Sequence, residues 1–339
     1  MRWRAAGCIT LAGMSESFQF DAGNGSITVG VRGARITHCQ VEGLDENLFY
    51  DDGRGGGGDR LWIAPEVAFY WPSLEEARRD PVGTAETPRD VDPGTYEIEG
   101  DWPGGVQLVN SCSLVDSRDD KAIGLEMKRT VAVTDRPHGL PDAVHCVSFA
   151  LVNELLVTGG DPGAVAAAWD ILQVPPTGTL VCPTTTRVQP RSYYDPFGDR
   201  HVRADGHAVR FLIDLQRRIK MGIRPEHTTG RMGYFREHPA GGGGSGWASL
   251  ILRVFPVSPG ETYVDIPRDH PADQRRGGDA LQAYCDDQTF GRFGEMEYVA
   301  PAVVVGGCEY RHSACVTHVL AGPTDAVREA GGALLGVEI

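Results

Sequence analysis

Helical periodicity is scarce in this chain. The best candidates for helix are residues 73–79, an Ala-rich stretch at 163–170, and 278–285, and none is long enough to found a helical domain. Metal-site spacing is missing too. Eight cysteines are scattered with no Cys-x-x-Cys pair and no regular Cys/His pattern, which argues against zinc and against a disulfide framework. Basic residues are outnumbered, 32 against 46 acidic, for a formal charge of -14. Phosphate-rich partners such as nucleic acid or an anionic membrane surface would be repelled. Long apolar runs are lacking as well: residues 9–14 are too few to span a bilayer. No Gly-x-Ser-x-Gly elbow, calcium loop or phosphate cradle is present, since no Gly-Lys-Ser/Thr follows the glycines at 53–58.

What is abundant is glycine, proline and alternation. Gly 44 and Pro 22 supply turns for a β-rich chain with short connections. Strand-like patterns recur at 26–31, 105–115, 122–133, 144–156, 209–214, 247–255, 263–266 and 316–320. Glycine tracts at 53–58 and 241–246 read as surface loops within one large antiparallel architecture. Met1-Arg2-Trp3-Arg4 and Ala5-Ala6-Gly7-Cys8 imitate a secretion signal, but no apolar core precedes the cysteine. An extended translation start is expected instead, with Met14 as the natural initiator, residues 1–17 as an extension and 18–339 as a single domain. Cysteines in apolar surroundings behave as small buried hydrophobes and predict a reducing, cytoplasmic location.

The segment Phe290-Gly291-Arg292-Phe293-Gly294-Glu295-Met296-Glu297-Tyr298-Val299-Ala300-Pro301 concentrates the chemistry. On a strand, Glu295 and Glu297 share one face while Met296 and Tyr298 take the other. Paired like charges, if buried, push at least one carboxyl toward neutrality and suit acid or base work. The alternative is a solvated strand face. In Gly58-Asp59-Arg60-Leu61-Trp62-Ile63-Ala64-Pro65-Glu66, Arg60 and Trp62 fall on one face. A forked donor and an aromatic plane form a carbohydrate-binding pair, unless Arg60 bridges Asp59 or Glu66 and Trp62 is core. His145, in an apolar strand, and His227, in a loop beyond Pro225, are candidates for the matching acid. Lys220 and Gln282 are candidate substrate contacts.

The Arg60 segment and the Glu295/Glu297 segment resemble the galactose mutarotase-like (aldose 1-epimerase-like) superfamily, in its poorly characterised bacterial branches. The resemblance implies an all-β supersandwich, two large twisted antiparallel sheets with few short helices, and a site on a concave face. It also implies a late-strand glutamate, Glu295 or Glu297, that removes the anomeric hydroxyl proton. A histidine protonates the ring oxygen, and an early arginine corresponding to Arg60 holds sugar hydroxyls. The family's mid-chain histidine motif has no clean counterpart, so His145 and His227 both stand as candidates. The expected function is aldose 1-epimerase-like proton transfer on a small-molecule carbohydrate, without cofactor or metal. A non-catalytic carbohydrate-binding protein on the same fold is the alternative. A glycoside hydrolase ranks lower, because both glutamates would project from one side of the sugar rather than flank it.

Overall fold

The computed structural model describes residues 8–9, 17–53, 56–194, 196–239, 246–268 and 277–339. Of the expected N-terminal extension, residues 1–7 and 10–16 lie outside this set, as do 241–245 of the second glycine tract. Antiparallel strands form two large sheets, as the all-β expectation required. The first runs laterally through Cys8–Ile9, Ser17–Asp21, Gly25–Gly30, Arg35–Val41, Asp59–Ala64, Val165–Val174, Gly294–Val299, Leu281–Cys285, Ile219–Ile223 and Arg191–Ser192, with Val303–Val304 paired to Val165–Val174. The second runs Val202–Asp205, Ala208–Ile213, Gly178–Pro183, Arg231–His238, Trp247–Val254, Tyr310–Pro323, His145–Gly160, Lys121–Val133, Gly105–Asp116 and Glu97–Trp102.

Alternation explains how the sheets meet. Along Gly294–Val299 every second side chain, Met296 and Tyr298, points into the core with Leu172, Leu281 and Ile36. Val147, Phe149, Ile251 and Val319 answer from the second sheet. Asp59 and Asp170 also point inward, onto Arg129 and Arg253 of the second sheet, and all four side chains are fully buried. The intervening residues of the same strands face the other way, and they build the site.

Three helical expectations are settled differently. Leu74–Arg79 is a helix, capped by the Ser73 side chain on the Glu76 N–H. The Ala-rich run instead belongs to Val165–Val174, in the middle of the first sheet and buried from Ala166 onward. There the alanines pack against neighbours on both faces, and burial overrides a weak helical preference. Leu281–Cys285 is a strand for the same reason. Residues 263–266 form no strand; Tyr263 makes a lone bridge to Gly277. The helix Thr324–Leu335 has little sequence signal, because no side chain caps its start and Gly331 and Gly332 interrupt it. At Gly331 a Cβ would sit 2.5 Å from Ile339 Cδ1 and 2.6 Å from Leu250 Cδ2, so those side-chain ends would have to shift to admit one.

Candidate functional site

Register brings the site together. Glu295 stands opposite Gln173 on one side and Tyr284 on the other, and Tyr284 stands opposite Lys220. Glu297 lies between Ile171 and Gln282, Arg60 lies beside Ile171, and Trp62 beside Trp169. Directly opposed residues share a face. One outward face therefore carries Arg60, Trp62, Trp169, Gln173, Lys220, Tyr284, Glu295 and Glu297. Above it opens a cavity of about 710 Å³, walled on one side by the segment from Glu66 to Asp92 and on another by Tyr194, Arg218 and Phe290. That size falls within the usual range for small-molecule sites.

Glu295 is mostly buried and lines the cavity. Its Oε1 accepts from Arg60 Nη2 at 2.8 Å and from Gln173 Nε2 at 2.8 Å. Oε2 accepts no hydrogen bond from the described residues, which leaves it for an occupant of the cavity. Arg60 also lies 4.3 Å over the Trp62 ring, so its fork is held from the side as well as from the end. Arg60 bridges neither Asp59 nor Glu66. Trp62 Nε1 donates to Asp92 Oδ2 at 2.7 Å, and Arg35 holds the same oxygen at 2.5 Å. Burial alone would raise the Asp92 carboxyl, but the Arg35 and Arg60 guanidiniums prevail and keep it low.

Glu297 sits one step deeper and is fully buried. Its Oε2 accepts from Trp169 Nε1 at 2.8 Å and lies 3.1 Å from Lys220 Nζ, while Oε1 has no partner. Lys220 reaches a second carboxylate, Glu66 Oε2, at 2.9 Å, and rests 4.3 Å over the Trp169 ring. Burial, then the neighbouring Glu295 and Glu66, raise Glu297 to about 8 against the pull of Lys220. Burial opposes the charge on Lys220, yet Glu297, Glu66 and Asp265 outweigh it and hold the ammonium well above its ordinary range. The two glutamates, equivalent in sequence, thus have distinct settings: one at the cavity, one beneath it.

The histidines are placed elsewhere. His145 opens a strand of the second sheet, half-buried, with Nδ1 3.3 Å from Glu42 Oε2 and its ring beside Trp247. The first sheet lies between it and the glutamates. His227 occupies the turn after Ile219–Ile223, tied through its backbone to Arg224 and Thr185. Among the described residues no histidine lines the cavity. Gln282 is buried behind the cavity, donating to Asp265 Oδ2 at 2.7 Å and to the Tyr193 hydroxyl at 2.8 Å. Tyr284, which with Gln282 offers a polar group for the same cleft in the sequence, does line the cavity. Gln173 and Trp169 are revealed only by cross-strand pairing, and Glu66, at the start of a short helix, only by its contact with Lys220. No cluster of histidine, cysteine and carboxylate side chains is arranged for a metal among the described residues.

The floor is tightly packed. At Gly222, opposite Gln282, an added Cβ would overlap Asp279 Oδ2 and come 2.7 Å from Tyr193 Cε2. Gly222→Ala is expected to lower stability by about 1–3 kcal/mol, read as a reduced urea midpoint. An unchanged midpoint would show that this floor has room to give.

Comparison with known proteins agrees with the fold. A candidate aldose 1-epimerase from Escherichia coli K12 superposes with a TM-score of 0.53 at 10% identity, over 89% of this chain and 98% of that one. A galactose mutarotase-like protein from Lactobacillus casei ATCC 334 gives a TM-score of 0.48 at 8% identity, over 89% and 99%. The first of these shows the fold, a two-sheet antiparallel β-supersandwich shared with that candidate aldose 1-epimerase. No curated protein matches the chain. Residues 48–339 match the model of a family of unknown function, DUF6786, and the chain belongs to that family.

Proposed function

We propose that the protein is a carbohydrate-active enzyme that opens and recloses a sugar ring, epimerising C1 of an aldose or isomerising a related sugar derivative. The observation that carries this reading is Glu295: a carboxylate at the cavity, anchored through one oxygen by Arg60 and Gln173, with the other oxygen unengaged. Such a group is placed to take the anomeric hydroxyl proton as general base. Trp62, its ring stacked on Tyr70 and covered by Arg60, borders the cavity and holds Arg60 in place, and Arg60 and Lys220 supply donors for hydroxyls. Seven of the cysteines are free thiols, which supports a cytoplasmic place of work. No helix among the described residues is long and apolar enough to cross a membrane.

The test follows optical rotation after freshly dissolved α-glucose or α-galactose is mixed with the protein. Acceleration is expected, and Glu295→Gln is expected to reduce it at least about 100-fold. A Glu295→Gln protein as fast as the parent would refute the assignment. The second reading, carbohydrate binding without catalysis, draws on the closed pairing of Arg60 with Glu295. It predicts sugar-dependent thermal stabilisation with no change in rotation rate.

A further inference from the structure

A base alone does not open a sugar ring; the ring oxygen must receive a proton as the C1–O bond breaks. No histidine among the described residues stands at the cavity to give it. Three residues offer another source. Glu66, Lys220 and Glu297 form a continuous chain, with Lys220 Nζ 2.9 Å from Glu66 Oε2 and 3.1 Å from Glu297 Oε2. Glu297 is buried and does not reach the cavity, whereas Glu66 lines it. Two carboxylates share a single ammonium, and the buried Asp265 adds a third negative group: its Oδ1 accepts from the Glu66 backbone N–H at 2.6 Å.

We propose that Glu66 is the acid partner of Glu295, a carboxylic acid whose proton is retained by the Glu66–Lys220–Glu297 chain. This rests on the ring-opening reading above. The charge count supports it. Without a proton the trio carries a net negative charge; with one proton, shared between the Glu66 and Glu297 carboxyls across Lys220, it is neutral, and of the two only Glu66 opens to the cavity, where that proton can be passed on. Burial first, then Asp265 and Glu295, raise the Glu66 carboxyl against the pull of Lys220. Tyr70 and Tyr194 also lie near it, Tyr193 faces Lys220, and burial keeps all three phenols neutral. Arg60 stands on the far side of Glu295 as a nearby guanidinium.

The step balances as follows. Glu295 takes the proton of the anomeric hydroxyl, and the freed electron pair forms the C1 carbonyl. The C1–O bond to the ring oxygen breaks, its electron pair stays on that oxygen, and the Glu66 carboxyl proton joins it. Lys220 then faces the new Glu66 carboxylate directly. After rotation about C1–C2, closure runs in reverse: Glu66 recovers its proton, and Glu295 returns its own to the carbonyl oxygen. No oxidant or other reactant is consumed.

The experiment compares the pH profile of sugar mutarotation for the parent, Glu66→Gln and Glu297→Gln, with circular dichroism and sugar-induced tryptophan fluorescence as controls for folding and binding. Glu66→Gln is expected to bind sugar yet lose about 100-fold or more in rate, and to lose the alkaline fall of the profile. Glu297→Gln leaves Glu66 alone with Lys220, so Glu66 ionises more readily. The alkaline fall should then move about 1–3 units toward acid. This variant keeps the Glu66 carboxyl and decides the matter if Glu66→Gln does not fold. Infrared difference spectra should show a protonated-carboxyl band at neutral pH in the parent that is altered on sugar binding and is missing from Glu66→Gln. Absence of that band from the parent, its persistence in Glu66→Gln, or full activity in that variant overturns the assignment of Glu66 while leaving Glu295 in place. Failure of the parent to act on any sugar, with Glu295→Gln no different from it, removes the ring-opening reading and this one together.

Discussion

Arg129→Met is expected to destabilise the protein by about 3–5 kcal/mol at neutral pH, measured as the shift in urea or thermal unfolding. Arg129 and Arg253 stand between the sheets with Asp59 and Asp170, and none of the four side chains is exposed. Asp170 is well served, taking donors from Arg253, Arg129 and Asn153, and these overcome burial to hold it low. Asp59 carries the cost: burial and Asp170 raise it to about 6, and its Oδ2 has no hydrogen-bond partner. Removing Arg129 leaves a negative charge stranded in the core. A carboxyl whose folded pKa is raised stabilises the fold below its unfolded pKa and loses that contribution as pH rises. The penalty should therefore shrink as pH falls toward the ordinary value of 3.8. Asp59→Asn in the same chain should recover part of the loss. A small, pH-independent effect would mean that the quartet is hydrated.

Lys220→Met should cost a similar amount, about 3–5 kcal/mol at neutral pH, because it strands Glu66 and Glu297 instead. The pH window differs. Glu297 is raised from 4.5 to about 8 in the intact protein, so its contribution is fully present below 4.5 and is lost as pH rises through 8. Without the ammonium the folded pKa climbs further. The variant should thus approach parental stability in acid and diverge from it steadily toward alkaline pH. Urea midpoints across that range test this. A constant gap would show that Lys220 stabilises mainly by packing on Trp169.

Much of the floor was legible because strand alternation is a strict rule. Glu295 and Glu297 on one face, Met296 and Tyr298 on the other, and Arg60 beside Trp62 all follow from a period of two. Which strands are neighbours does not follow from it. Arg60 and Glu295 meet across 235 positions, and nothing local announces the pairing. Gln173 and Trp169 were hidden because the alanines before them imitate a helix. Glu66 was hidden because it follows a proline at the end of a strand, where a surface carboxylate is the ordinary case. His145 drew notice as a titratable ring in an apolar run, but period two says only that it faces one side of its own sheet. That sheet turned out to be the wrong one. Gln282 shows the complementary limit: it shares the face of Glu297, yet Asp265 and Tyr193 cover it.

Asp59 and Arg60 are consecutive, and they serve opposite sides of one strand. If Asp59–Ala64 slid by a single position, a carboxylate would confront Glu295 while a guanidinium was forced among Arg129 and Arg253. Both errors repel, and they arise together. The same dipeptide that sets one guanidinium at the cavity therefore proofreads the threading of its own strand, so a misaligned chain is penalised twice.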